Sequence, residues 1–142
     1  MTEYAQLLAE AMRARENSYC PYSGFAVGAA ILMKDGAVYR GCNVENASYG
    51  ATNCAERTAL FTAVADGRRR GEFAAIAVAG GPKDGELRAC PPCGICRQVL
   101  SEFADPEELF VLWATGEPDG ESGEVPCEVH TLAELLPGGF AL

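Results

Sequence analysis

The sequence predicts an α/β fold, a mixed sheet covered by helices on both faces. Two observations lead there. Strand-like and helix-like segments alternate along the chain, and the first two strand-like segments are joined by a hairpin turn. A length of 142 residues suggests a single domain spanning 1–142.

Thr2 to Asn17 reads as the first helix, because Tyr4, Leu7, Leu8, Ala11 and Met12 recur at helical spacing and form one apolar stripe. Asn17 to Gly24 carries Ser, Pro and Gly and reads as loop. Phe25 to Met33 is a strand, Lys34-Asp35-Gly36 its turn, and Ala37 to Val44 its antiparallel partner. Glu45 to Thr52 connects to a helix over Cys54 to Asp66 that stops at Gly67. Phe73 to Gly80 is an apolar run with the length of a central strand. Gly81 to Pro92 is loop, and a second helix runs from Cys93 to Phe103. Strands follow at Leu109 to Trp113 and Val125 to Val129, separated by a polar, glycine-rich stretch over Gly116 to Gly123. Thr131-Leu-Ala-Glu134 is a capping box, so a short helix is expected before Pro137-Gly138.

Charge narrows the partners. Twenty acids against eleven bases give a net charge of −9, which disfavours a nucleic-acid polymer. The basic run Arg68-Arg69-Arg70 is short and suits a helix end. No stretch approaches the roughly 20 apolar residues needed to span a bilayer, and no membrane partner is expected. The acidic N-terminal segment lacks a signal pattern, and a cytoplasmic location is expected. Seven cysteines, an odd number, argue against a disulfide framework in a reducing compartment.

Chemistry concentrates in Cys54-Ala55-Glu56 and Pro92-Cys93-Gly94-Ile95-Cys96. Each lies where a helix is expected to begin, and the free amides and positive end of a helix dipole stabilise thiolates, the form that binds metal. Cys93 and Cys96, three apart, reach one ion from a single helical turn, and Cys54 supplies a third ligand from the other helix. Three protein ligands on tetrahedral zinc leave one position for water, the mark of a catalytic site. Glu56, two residues from a ligand, is placed to exchange protons with that water. Arg57 and Arg97 directly follow Glu56 and Cys96, and both are expected to donate hydrogen bonds to thiolate sulfur.

The residues leave other readings open. A lone Cys-x-x-Cys also suits a redox pair, although that leaves Cys54-Ala55-Glu56 unexplained. A structural zinc site needs a fourth ligand, for which Cys90, Cys42, Cys127 and His130 are candidates, Cys90 foremost by its spacing from Cys93 and Cys96. Pro91 and Pro92 hold that stretch extended, which argues against Cys90. Asn53-x-x-Glu56 also matches a loose capping box, in which Glu56 is only a helix cap.

Five stretches resemble the cytidine deaminase family, the small homotetrameric kind with three cysteine ligands. They are Cys20-Pro-Tyr-Ser-Gly-Phe25-Ala-Val-Gly-Ala, Gly41-Cys-Asn43-Val-Glu45-Asn46-Ala, Asn53-Cys54-Ala-Glu56-Arg57-Thr-Ala-Leu, Pro92-Cys93-Gly-Ile-Cys96-Arg97-Gln98-Val and Leu135-Leu-Pro-Gly-Gly-Phe140. Zinc deaminases carry a non-ligand Glu beside the first ligand and a Pro-Cys-x-x-Cys motif, here with Cys in place of the usual His. The resemblance implies a three-layer α/β/α fold around a five-stranded mixed sheet. It also implies hydrolytic deamination of cytidine and 2′-deoxycytidine, one Zn2+ per subunit, and a homotetramer with sites shared across subunits. It makes Cys54, Cys93 and Cys96 the zinc ligands, Glu56 the proton shuttle and Arg57 a donor to the thiolates. Phe25 would pack on the pyrimidine, the backbone of Ala55 would contact the base, and Asn43 and Glu45 would hold the ribose 3′-hydroxyl. Phe140 and Tyr49 would reach a neighbouring subunit's site. Ile95, between the two ligand cysteines, departs from a frequent Ala, as Cys90-Pro91 departs from what relatives carry.

Rival functions remain. A blasticidin S deaminase shares the Cys-Ala-Glu and Pro-Cys-Gly-x-Cys pattern, but Asn43 and Glu45 favour a ribose-bearing nucleoside. A polynucleotide-editing deaminase is disfavoured by the charge and the short chain. A non-catalytic zinc module would close the fourth coordination position with protein.

Overall fold

The computed structural model describes residues 3–142. Met1 and the expected helix residue Thr2 lie outside the described residues. A five-stranded sheet in the order β2-β1-β3-β4-β5 forms the middle layer. Its strands are β1 (Phe25–Met33), β2 (Val38–Cys42), β3 (Phe73–Pro82), β4 (Phe110–Ala114) and β5 (Cys127–Thr131). Antiparallel pairing joins β1 to both β2 and β3, β3 runs parallel to β4, and β5 returns antiparallel to β4. The expected mixed sheet is therefore present. Helices α1 (Glu3–Arg15), α2 (Ala55–Ala65), α3 (Gly94–Phe103) and the short α4 (Leu132–Leu135) cover it, and a single 3-10 turn, Tyr49–Ala51, interrupts the long connection before α2. Among the described residues no helix is long and apolar enough to cross a membrane.

Alternation along the strands divides the core. Ala29, Ile31 and Met33 of β1 and Ile76 and Val78 of β3 face a cluster with Ala59, Leu60 and Ala63 of α2 and Leu100 of α3. Ala30, Leu32, Ala75, Ala77 and Ala79 face the other way, onto Leu7, Leu8 and Ala11 of α1. Bulky side chains thus fill one side, and alanines let α1 lie close on the other.

Close approach is set at two glycines. A Cβ on Gly28 would stand 2.0 Å from the carbonyl oxygen of Ala11, and one on Gly41 would stand 2.3 Å from the amide nitrogen of Ala59. These positions bring α1 and α2 to the sheet at backbone distance. The end of α2 is a Schellman motif. Gly67 takes φ 98°, its amide bonds to Val64 O at 3.0 Å, and Arg68 N bonds to Ala63 O at 3.1 Å.

Four strands differ from expectation by one or two residues at a boundary: β2 begins at Val38, β3 runs on to Pro82 and β4 is Phe110–Ala114, and the shifts of β5 and of the end of β2 have local causes. The last strand is Cys127–Thr131 rather than Val125 to Val129. Pro126 has no amide to give a ladder, and its carbonyl instead accepts from Thr115 N at 2.8 Å, so the strand begins after it, at Cys127. Thr131 then caps α4, accepting from Glu134 N as the capping box requires. The second strand stops at Cys42 and not Val44, because Asn43 turns its side-chain carbonyl to Val27 N and Val44 pairs with Asn53 and Tyr19 outside the sheet.

Candidate metal centre

One end of the sheet gathers the start of β1, the ends of β2 and β3, and the N-termini of α2 and α3. The registers place Phe25 opposite Pro82 and Gly28 opposite Cys42. Cys54 and Cys93 are the N-cap residues of α2 and α3, both in extended backbone conformation, with φ −76° ψ 155° and φ −67° ψ 167°. Cys96 sits in the first turn of α3, fully buried, and its amide donates to the sulfur of Cys93 at 3.4 Å. Helix N-termini thus supply amides and positive potential to this sulfur cluster.

The three sulfurs lie within 4.8 Å of one another, and Cys54 Sγ and Cys93 Sγ are 3.8 Å apart. Tetrahedral zinc with bonds of about 2.3 Å to sulfur sets its ligand sulfurs roughly 3.8 Å apart. The donor set and its spacing fit zinc. Among the described residues Cys90 does not join the cluster, and neither do Cys42, Cys127 or His130. Burial raises the Cys90 thiol to about 11, with the nearby charges of Glu56, Cys54 and Cys93 adding to the effect. Its sulfur packs instead over Gly80, where a Cβ would come within 2.8 Å of it and 3.2 Å of the Phe25 ring.

Cys54 is poised as a thiolate. A hydrogen bond from Cys96, followed by bonding and charge from Arg57, lowers it to about 5 against the opposing cost of burial. Cys96 is pushed well up by that same shared proton and by burial. A dication held by the three sulfurs would take the place of such shared protons. Arg57 Nη2 donates to Cys54 Sγ at 3.1 Å. The expected partner role of Arg97 is not what the structure shows. Its Nε donates to Pro92 O at 2.8 Å and its Nη1 to Leu135 O at 2.9 Å. The guanidinium answers main-chain carbonyls and ties α3 to the C-terminal segment.

Glu56 is 5% exposed, the one buried charged residue among those described. Burial raises its carboxyl above the ordinary range, and the Cys54 thiolate adds to the rise. The capping-box alternative fails. The cap is Cys54, one residue later than supposed, and Asn53 Nδ2 donates to Thr58 Oγ1 at 3.1 Å. A buried carboxyl of raised affinity for protons, next to the metal ligands, suits proton transfer.

The other expected residues fall into two groups. Ala55 is fully buried as the first residue of α2, and half-buried Phe25 opens β1. Asn43 Nδ2 donates to Phe25 O at 2.8 Å, while its Oδ1 accepts from Val27 N and from Ser18 Oγ. Glu45 accepts from Tyr22 N at 2.9 Å and from Ser23 N at 3.1 Å, and Ser23 Oγ donates to its second oxygen. Tyr49 is 76% exposed and meets Tyr22 edge-on at 6.1 Å; with Ser23, Glu45 and Thr52 they line an open groove of about 390 Å³. Phe140 is 68% exposed on the C-terminal segment, where Gln98 holds its carbonyl at 2.9 Å. Ser23 lies within the Cys20–Ala29 motif, which assigns it no role. Its position two before Phe25, whose amide it accepts at 3.0 Å, is a serine-turn signal that points to it.

An α/β/α protein with helix-capped thiols around a zinc position and a buried carboxyl beside them is, as a class, a zinc hydrolase. The profile described as "Cytidine and deoxycytidylate deaminase zinc-binding region" matches residues 1–112. A cytidine deaminase of Halalkalibacterium halodurans is 52% identical over 134 residues, 94% of this chain and 91% of that one. The crystal structure of cytidine deaminase from Burkholderia pseudomallei superposes with a TM-score of 0.80 at 48% identity, covering 99% of this chain and 100% of that one. A blasticidin-S deaminase of Bacillus cereus is 34% identical over 90 residues, 61% of each chain. The chain belongs to the cytidine and deoxycytidylate deaminase family.

Proposed function

We propose that the chain hydrolyses cytidine and 2′-deoxycytidine to the corresponding uridines and ammonia. The observation that carries this reading is the buried Glu56 beside a cluster of three sulfurs at zinc spacing. Cys54, Cys93 and Cys96 would hold the ion, which when bound would supply a water acidic enough to ionise near neutral pH. Arg57 offsets the surplus negative charge of three thiolates. Glu56 accepts a proton from the attacking water and delivers it to N3 of the pyrimidine. Once the water oxygen is bonded to C4, Glu56 takes the remaining proton of that new hydroxyl to the exocyclic amine, and the C4–N bond breaks to release ammonia and leave the uridine carbonyl.

Phe25 packs against the base, the backbone of Ala55 contacts it, and Asn43 and Glu45 bind the ribose 3′-hydroxyl. Near-complete coverage of the Halalkalibacterium and Burkholderia proteins, against 61% for the blasticidin-S deaminase, favours a nucleoside substrate. Exposed Tyr49 and Phe140 suit contacts with neighbouring subunits of a homotetramer. Seven free cysteines suit a reducing compartment such as the cytoplasm.

An absorbance assay with cytidine, 2′-deoxycytidine and blasticidin S, with and without a zinc chelator, tests the proposal. Chelator-sensitive turnover of both nucleosides is expected. Turnover of blasticidin S alone, or of nothing by zinc-loaded protein, would contradict it.

A further inference from the structure

Glu45 is held by the short stretch that leads into β1. Its Oε1 accepts from the amides of Tyr22 and Ser23, and its Oε2 accepts from Ser23 Oγ. The same Ser23 Oγ accepts from Phe25 N at 3.0 Å. On the other side, Asn43 Nδ2 holds Phe25 O at 2.8 Å. Both main-chain groups of Phe25 are thus bonded to side chains that lie at or beside the pair Asn43 and Glu45. One hydroxyl joins an acid and an aromatic on separate segments.

Counting sites sharpens the point. A carboxylate offers about four acceptor positions, and three on Glu45 are taken from within the chain. The acceptor position that remains is on Oε2, the oxygen that Ser23 Oγ orients. Asn43 Oδ1 already accepts from Val27 N and Ser18 Oγ, so the amide has one N–H left to give. One open acceptor and one open donor match a group that both donates and accepts, a hydroxyl.

We propose that Ser23 is a positioning residue for substrate specificity, a relay that aims the free position of Glu45 at a sugar hydroxyl. The proposal rests on the nucleoside reading above. The lowered carboxyl of Glu45, for which the Ser23 hydroxyl is the first cause, agrees with the geometry.

The test compares 2′-deoxycytidine with 2′,3′-dideoxycytidine, which differ only in the 3′-hydroxyl. Ser23→Ala is expected to lower kcat/KM for 2′-deoxycytidine roughly tenfold, mainly through KM, because a hydrogen bond to a charged group is lost. The dideoxy compound is expected to change less than about twofold, since it cannot use Glu45. Ser23→Thr keeps the hydroxyl and restores most of the loss. In Glu45→Gln, adding Ser23→Ala costs little more, because the relay then has no carboxylate to aim. Should Ser23→Ala fold poorly, Ser23→Cys, a weak donor of similar size, gives the same comparison. Equal losses on both nucleosides, no loss on 2′-deoxycytidine, or full additivity with Glu45→Gln would overturn the proposal. Wild-type protein inactive on both nucleosides would end the underlying reading, a result distinct from these.

Discussion

Arg57 and Cys54 stand three residues apart at the start of α2, with guanidinium and sulfur 3.1 Å apart. A cation so placed stabilises the thiolate and offsets the charge left when three thiolates meet one dication. Arg57 Nε is itself buried with no hydrogen-bond partner, an arrangement tolerable beside anionic sulfur and costly beside neutral thiol. Arg57→Gln is expected to weaken zinc retention about 10- to 100-fold, as loss of a residue supporting a metal ligand commonly does. Competition with a chromogenic chelator measures it. Unchanged retention would contradict the role.

Cys90 is expected to be dispensable for the metal. Cys90→Ser should keep one zinc per chain by metal analysis, because its thiol lies outside the cluster and is raised to about 11. Loss of zinc in this variant would reinstate a closed four-ligand site.

Gly41→Ala is expected to destabilise the chain by about 1–3 kcal/mol or more, since the added methyl meets backbone and cannot be relieved by a side-chain turn. It would stand 2.3 Å from Ala59 N and 2.7 Å from Ala55 O. Urea unfolding measures the shift. Turnover should fall too, because the strained segment of α2 follows Cys54 directly.

His130 lies between Glu134 and Glu128 and stacks on Trp113 with ring centroids 5.0 Å apart. Bonding to Glu134 first, then Glu128, raises its pKa above the ordinary 6.5. A raised folded value means stability present below 6.5 and lost as pH rises through the folded pKa. The difference in Tm between wild type and His130→Gln is therefore expected to be larger below pH 6.5 and to shrink as pH rises through the raised folded pKa. A difference that grows with pH would contradict the assignment.

Much of this was legible in the sequence because each signal was local. The helix starts at Cys54 and Cys93, the stop at Gly67 and the cap at Thr131 follow from backbone chemistry within one turn. The mixed sheet followed from the order of patterns, and the three-sulfur cluster from spacing at two helix starts. Long-range choices were less legible. Arg97 was expected at sulfur, yet its partners are the carbonyls of Pro92 and Leu135, set by how α3 packs on a distant segment. Ser23 bonds a carboxylate 22 residues away, which no local pattern announces. The loose capping box at Asn53 gives Glu56 a rival role, and only the packing that buries Glu56 to 5% exposure, with Cys54 as the cap, decides between the two.

The most direct measurement is the zinc content and turnover of Glu56→Gln on cytidine. The variant should hold one zinc per chain and lose turnover by about 100- to 10,000-fold, the usual scale of a lost general acid–base. Near-normal turnover with zinc in place would contradict the account at its centre.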